Sequence, residues 1–254
     1  LDDRNLELAK MKIPVLEGVI KRRMLINFRI DPDVMQKFLP TPFRPKLHRN
    51  YAMAGICLIR LEHIRPKGLP RLLGFSSENA AHRIAVEWND AGRSQEGVFI
   101  PRRDTGSLLN HLTGGRIFSG EHDLAKFRIV DEGERIDFSM ESCDQKVAVR
   151  VQGRESSALP TASCFASLDQ ASTFFEGGSL GYSVTHDSRR LDGLRLKTLD
   201  WRVRALHVDE MESSFFSDTA HFPAGSAVFD HALIMRNIRH EWHQATDLFT
   251  KEKL

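Results

Sequence analysis

The chain is poor in cysteine. Cys57, Cys143 and Cys164 stand far apart, odd in number and without CxxC spacing, in 254 residues. That argues against a disulfide framework and against a cysteine zinc site. Cys57 sits in an apolar run and reads as a small buried hydrophobe. Charge of one sign is also lacking: 36 basic residues face 34 acidic ones, a net +2. Without a basic field, no nucleic-acid partner is expected, and the cluster Lys21-Arg22-Arg23 reads as a solvated strand end. No apolar run approaches the roughly 20 residues of a membrane span, so no membrane partner is expected. The opening residues, LDDRNLELAK, are charged and lack a signal peptide's apolar region. A reducing cytoplasm is the default, and a leader removed before Leu1 stays open. GxGxxG, GxxxxGK[ST] and GxSxG are all missing, so no cofactor is expected. There is no repeat, low-complexity tract or long linker, and residues 1–254 are expected to form one domain.

What is present is an ordinary globular balance, 41% hydrophobic and 28% charged, in a chain long enough to bury roughly three quarters of its unfolded surface. Strand-like segments dominate. RRMLINFRI sets Met24, Ile26, Phe28 and Ile30 against Arg23, Asn27 and Arg29, a period of two. YAMAGICLIRLEHI reads as a long apolar strand with a bulge or bend at Gly55. NAAHRIAVEW and EGVFIP flank NDAGRSQ, whose Asn, Asp and Gly suit a hairpin loop. KFRIV, RIDFSME and VAVRVQG read as a meander, and GLRLKT, WRVRALHVDEM and SAVFDHALIM as later strands. Three short helices punctuate them. DPDVMQKFLP begins on an Asp31 cap with Pro32 in the first turn. SLLNHL starts on Ser107 as a cap and closes at Gly114-Gly115. SLDQASTFFEGG carries a capping box of Ser167 and Gln170 and stops at Gly177-Gly178. Antiparallel strands with a few helices predict a mainly β (α+β) fold, a large curled sheet or closed barrel.

Three segments carry candidate chemistry. If Ala80, Ile84 and Val86 face inward, so do Glu78 and His82, whose pKa values burial shifts toward neutrality; otherwise Arg83 and Glu87 form an outward pair and Glu78 sits at an exposed strand mouth. If Val98 and Ile100 face inward, Arg102 and Asp104 follow, and Arg102 becomes a carboxylate clamp. Arg103 takes that place if Phe99 is the inward residue, and a solvated strand end is the third reading. HEWH, at 240–243, lacks the HExxH spacing of zinc proteases and reads as a polar segment anchored by Trp242, so no metal is expected.

Several long stretches together, RRMLINFRIDPDVMQKFLPTPFRPKL, YAMAGICLIRL, SSENAAHRIAVEW, EGVFIPRRDT, SLGYS, SSFF and HEWH, resemble the family called domain of unknown function 2071. That family is similar to acetoacetate decarboxylases. The resemblance implies a cone-shaped antiparallel β-barrel with an internal small-molecule pocket. In the decarboxylases one lysine of a pair forms a Schiff base, and its neighbour lowers its pKa. Laid on GGRIFSGEHDLAKF, the family pattern keeps Gly115, Arg116 and Gly120. Its glutamate becomes Ile117, its proline His122 and its two lysines Asp123 and Leu124, while Lys126 stands alone. The upstream family glutamate falls near Glu78.

The resemblance therefore implies a retained frame without the attacking amine. The expected function is a lyase, hydratase or isomerase acting on a small oxo or carboxylic acid. Glu78 or His122 would be the acid–base group, with Asp123 orienting the histidine and Arg116, Arg102 and His82 contacting substrate. The alternative is a non-catalytic organic-acid binder. The expected partner is a small organic acid, and a homodimer is expected by resemblance alone.

Overall fold

Residues 14–113, 120–187 and 189–250 are described by the structure, a computed structural model. Asp31 starts the first helix as its sequence demands, accepting from the Asp33 and Val34 amides at 2.9 and 3.2 Å. That helix, α1 (Pro32–Phe38), follows β1 (Leu16–Ile30). Next come β2 (Arg44–Pro45), β3 (Leu47–His48), β4 (Tyr51–Pro66), a 3₁₀ turn (Arg71–Leu73), β5 (Phe75–Asp90), β6 (Arg93–Thr105) and α2 (Leu108–Thr113). A meander of β7 (Asp123–Glu132), β8 (Arg135–Ser142) and β9 (Ala148–Ser156) leads to α3 (Leu168–Glu176). The last part holds β10 (Leu180–Val184), β11 (Arg190–Thr198), β12 (Arg204–Ser213), β13 (Ala227–Gln244) and β14 (Leu248–Phe249). No described helix is long and apolar enough to cross a membrane.

Local chemistry explains these boundaries. The β5–β6 hairpin turns on Ala91 and Gly92, with φ of 47° and 79°, the two left-handed positions that a tight hairpin needs. Ser167 caps α3 by accepting from Gln170 N at 3.1 Å, while the Gln170 side chain returns to Ala166 N at 2.8 Å. Gly55 makes neither a bulge nor a bend. It stays in register opposite Asn27, and a Cβ there would stand 2.1 Å from the Ile26 carbonyl oxygen. The glycine permits close strand approach.

The strands pair into two rings that share a wall. One circuit runs β6-β7-β8-β9-β12-β13-β1-β4-β5 and back to β6. The other runs β6-β10-β11-β13-β1-β4-β5 and also returns to β6. Both thus use β13, β1, β4, β5 and β6. Pairing is antiparallel except where β6 meets β7 and β10, which are parallel contacts. The shared strands are buried on both faces, because successive side chains point opposite ways. Met24, Ile26 and Phe28 enter one apolar core with Phe138, Met140 and Val151. Leu25, Cys57 and Ile59 enter a second with Phe165 and Phe175, beneath α3. The alternation in β1 is a strand signal, as expected, but its polar face is largely withdrawn from solvent: Asn27 is fully buried, and Arg23 and Arg29 are half-buried.

Candidate functional site

Three cross-strand rows on the second face build the site. Leu25, Cys57, Ala81 and Arg103 are successive partners across β1, β4, β5 and β6. Arg23, Ile59, Asn79 and Thr105 form the row on one side, and Asn27, Gly55 and Arg83 the row on the other. Paired residues send their side chains to the same side of a sheet. The small Gly55, Cys57 and Ala81 leave space there, and β10 and β11 close over it. The result is a cavity of about 110 Å³ whose polar lining includes Arg23, Arg83, Arg103, Asn79, Asn110 and His122. No Asp, Glu or Lys is among its described lining residues.

The three arginines are held by neutral groups. Arg23 Nε donates to Cys57 Sγ at 3.3 Å, and Arg103 Nε donates to Ser183 Oγ at 2.9 Å. Arg83 Nη2 donates to Asn27 Oδ1, its guanidinium lies 4.8 Å from the Phe175 ring centre, and its buried Nε has no hydrogen-bond partner among the described residues. None of the three forms an ion pair with a described carboxylate; Arg103 feels Asp192 only at longer range. Burial pulls the Arg83 and Arg103 guanidinium pKa values down to about 10, so both stay charged at neutral pH. Cations set in a low-dielectric wall without a counter-charge are costly unless an anion completes them.

A buried relay fixes Arg83. Asn27 Nδ2 lies 3.1 Å from His231 Nε2. An amide nitrogen only donates, so Nε2 accepts and the His231 proton sits on Nδ1, which donates to Asp230 Oδ2 at 2.6 Å. Asp230 also accepts from Ser163 Oγ at 2.7 Å and Cys164 N at 2.9 Å. On the other side of the cavity, α2 docks through Asn110. Its Nδ2 donates to Asn79 Oδ1 at 3.2 Å, and Thr105 Oγ1 donates to the same oxygen at 2.7 Å. The buried Asn110 Oδ1 has no hydrogen-bond partner among the described residues.

Of the residues singled out from sequence, His122 lines this cavity. Its Nδ1 lies 3.2 Å from Gly120 O. Burial, reinforced by the nearby Arg103 charge, pulls the imidazole down to about 3. Asp123 does not orient it: as the next strand residue it turns away, to 3.4 Å from Arg102 Nη2. Glu78 and His82 share a face, as expected, but it is the other face of the wall. Glu78 accepts from Arg22 Nη2 at 2.8 Å. Burial pushes its carboxyl up, against the opposing pull of the Arg22 charge. His82 is fully buried, 4.4 Å from the Phe215 ring, and burial pulls it down to about 3. Arg102 is enclosed by carboxylates, at 2.8 Å from Asp104 and 3.0 Å from Asp144. Arg116 lies outside the described residues.

A register shift explains why Arg103 rather than Arg102 reaches the cavity. His82 pairs with Arg102, but Ile84 pairs with Phe99, so β6 carries one extra residue opposite Arg83. The bulge falls at Ile100–Pro101 and reverses the parity of everything after it. Val98 and Ile100 therefore share the cavity with Arg103. Pro101, at the end of the apolar run Val98-Phe99-Ile100 and inside β6, is the available signal. Arg23, Asn27 and Arg83 gave no comparable signal, because only the second ring makes their face an interior. HEWH lies in β13, where Glu241 takes Lys67 at 2.7 Å and His243 at 2.8 Å. Among the described residues no cluster of His, Cys, Asp or Glu is suited to hold a metal.

The profile of a family described as an uncharacterized conserved protein, domain of unknown function 2071, matches residues 20–232. No curated protein matches the chain. Solved structures do. Acetoacetate decarboxylase from Legionella pneumophila superposes with a TM-score of 0.54 at 13% identity, over 91% of this chain and 87% of that one. An acetoacetate decarboxylase-like enzyme from Sphingomonas wittichii gives 0.57 at 10% identity, over 100% and 99%. The enduracididine biosynthesis enzyme MppR, solved with pyruvate, gives 0.53 at 13% identity, over 96% and 93%. At these identities the likeness shows a shared fold, the acetoacetate decarboxylase-like one.

Proposed function

We propose, from the premise that this chain belongs to the domain of unknown function 2071 family, that it binds a small oxo or carboxylic acid in the arginine-lined cavity. One observation carries the reading: Arg23, Arg83 and Arg103 converge on a partly open cavity with no acidic residue among its described lining. Guanidinium forks match carboxylate oxygens in pairs. The volume of about 110 Å³ compares with a cavity of about 150 Å³ that accepts benzene, so the ligand has about four to six heavy atoms. Binding of pyruvate by MppR supports the same ligand class.

Chemistry at that site starts from His122. It is neutral at pH 7, and a bound carboxylate beside it raises its proton affinity. It then shares or moves a proton at the ligand's oxo oxygen, the step common to lyases, hydratases and isomerases of oxo acids. An attacking amine has no place in this reading. Treatment with acetoacetate and borohydride is expected to leave no lysine adduct, and a reduced adduct at Lys126 overturns that expectation. Glu78, His82, Asp123 and Arg102 act as supports of the opposite core and its rim.

The lack of a carboxylate base in the described lining favours the second reading, a binder without turnover. Calorimetric titration with glyoxylate, pyruvate and acetoacetate tests the shared claim: one site per chain is expected, weakened at least tenfold in Arg103→Met. No heat with any of the three acids sinks it. His122→Gln separates the readings, since turnover collapses in an enzyme whereas a binder keeps most of its affinity.

A further inference from the structure

Among the described residues that line the cavity, Cys57 is the thiol, a side chain capable of covalent chemistry that the anion reading does not use. Cys57 lies in the middle row of the wall, between Leu25 and Ala81. Arg23 Nε donates to its sulfur at 3.3 Å. Arg83 stands two residues along the neighbouring strand and Arg103 two strands across in the same row. The Arg83 Nε, buried in the same lining, has no hydrogen-bond partner among the described residues. The three guanidiniums place positive charge around the sulfur, where an anionic electrophile can be held against it. The same cations concentrate anions from solution.

We infer that Cys57 is a nucleophile selective for anionic electrophiles, which forms a reversible thiohemiacetal with a small oxo acid held by Arg83 and Arg103. This rests on the anion site proposed above and adds a bond to it. The sulfur forms a bond to the carbonyl carbon. The carbonyl π bond breaks, its electron pair moves to oxygen, and the thiol proton ends on that oxygen. No oxidant, reductant or leaving group takes part. Addition at sulfur gives the fold a covalent hold on a carbonyl without any lysine.

The chain contains its own controls. Cys143 is exposed, and Cys164 is buried, its thiol pushed up to about 12 by burial. The native protein is treated in parallel with iodoacetate, an anion, and iodoacetamide, its neutral counterpart, and labelling at each cysteine is followed by peptide mass spectrometry. The ratio of the two rates at Cys57 is expected to exceed that at Cys143 by roughly tenfold, with Cys164 unlabelled. Arg83→Met is expected to bring the Cys57 ratio down to the Cys143 value. Carbon-13 glyoxylate should show a new tetrahedral-carbon resonance that Cys57→Ala abolishes. An unlabelled Cys57, a ratio equal to that of Cys143, or a resonance that survives Cys57→Ala overturns the inference. Calorimetry with glyoxylate on Cys57→Ala keeps the two claims apart. Retained weak binding leaves the anion site standing without the bond, and absent binding in both proteins removes the site itself.

Discussion

Arg83 is anchored by Asn27, one strand beyond its immediate neighbour on the shared wall, and Asn27 is anchored in turn by His231. The cation at the cavity is therefore oriented by a chain of neutral groups that ends on the buried Asp230. Asn27→Leu removes the central link and leaves Arg83 Nη2 and His231 Nε2 unsatisfied. The expected loss is about 2–4 kcal/mol of stability, read by urea unfolding, with weaker anion binding in the protein that remains folded. Unchanged stability would mean that the relay is not a structural unit.

Arg103→Met should act in the opposite sense. It replaces a partly buried cation that has no ion pair with a described carboxylate by an apolar chain of similar length. The unliganded protein is expected to gain about 1–2 kcal/mol while its affinity for small oxo acids falls. A destabilised variant with full affinity contradicts the assignment of Arg103 to the ligand.

Arg102 differs from its neighbour in every respect, and the pair of variants makes the contrast visible. Arg102→Met leaves Asp104, Asp123 and Asp144 facing one another. The expected cost is about 3–5 kcal/mol at pH 7.5. Burial has already pushed Asp104 up to about 6, so acidification protonates it and the deficit should shrink by pH 5. Denaturation midpoints at the two pH values test this. Anion affinity of the folded variant should stay at the parent value.

His82 sets an acid limit on the fold. Burial holds it near 3, whereas the unfolded chain titrates near the ordinary histidine value. Below about pH 6.5 the unfolded state binds a proton that the folded state refuses. Stability therefore falls as pH drops, by up to about 1.4 kcal/mol per pH unit for this one group. His82→Phe, which suits the contact with Phe215, should flatten the slope of stability between pH 6 and pH 4 relative to the parent. Parallel slopes in the two proteins reject the assignment.

Local structure was legible wherever neighbouring residues decide it. Asp31 and Ser167 announce their helices because caps are built within three or four residues. Ala91-Gly92 lies in a stretch rich in turn formers. The acetoacetate decarboxylase-like fold was carried by long family-like stretches, with the strand pattern in agreement. The site was harder to read. His122 was reached through resemblance. Glu78 and His82 were placed on one face correctly, but an alternating pattern cannot say which of two buried faces borders the cavity. The sequence leaves Arg103 open as an alternative to Arg102, and one bulge decides between them. Arg83 looked like half of an outward ion pair with Glu87, because sequence period alone treats a polar face as a wet one. Cys57 was legible as buried, but not as a neighbour of three cations contributed by three different strands.

The partition shared by the two rings also restricts how this protein can diverge. A single-residue insertion within β1, β4 or β5 would exchange the contents of two interiors at once, driving arginines among phenylalanines on one side and methionines into the ligand space on the other. Length changes should therefore be tolerated at hairpin tips such as Ala91-Gly92 and purged from the wall. Novelty in ligand choice must then come through point substitution at Cys57, Ala81, Arg83 and Arg103, where volume and charge can vary while both compartments keep their alignment.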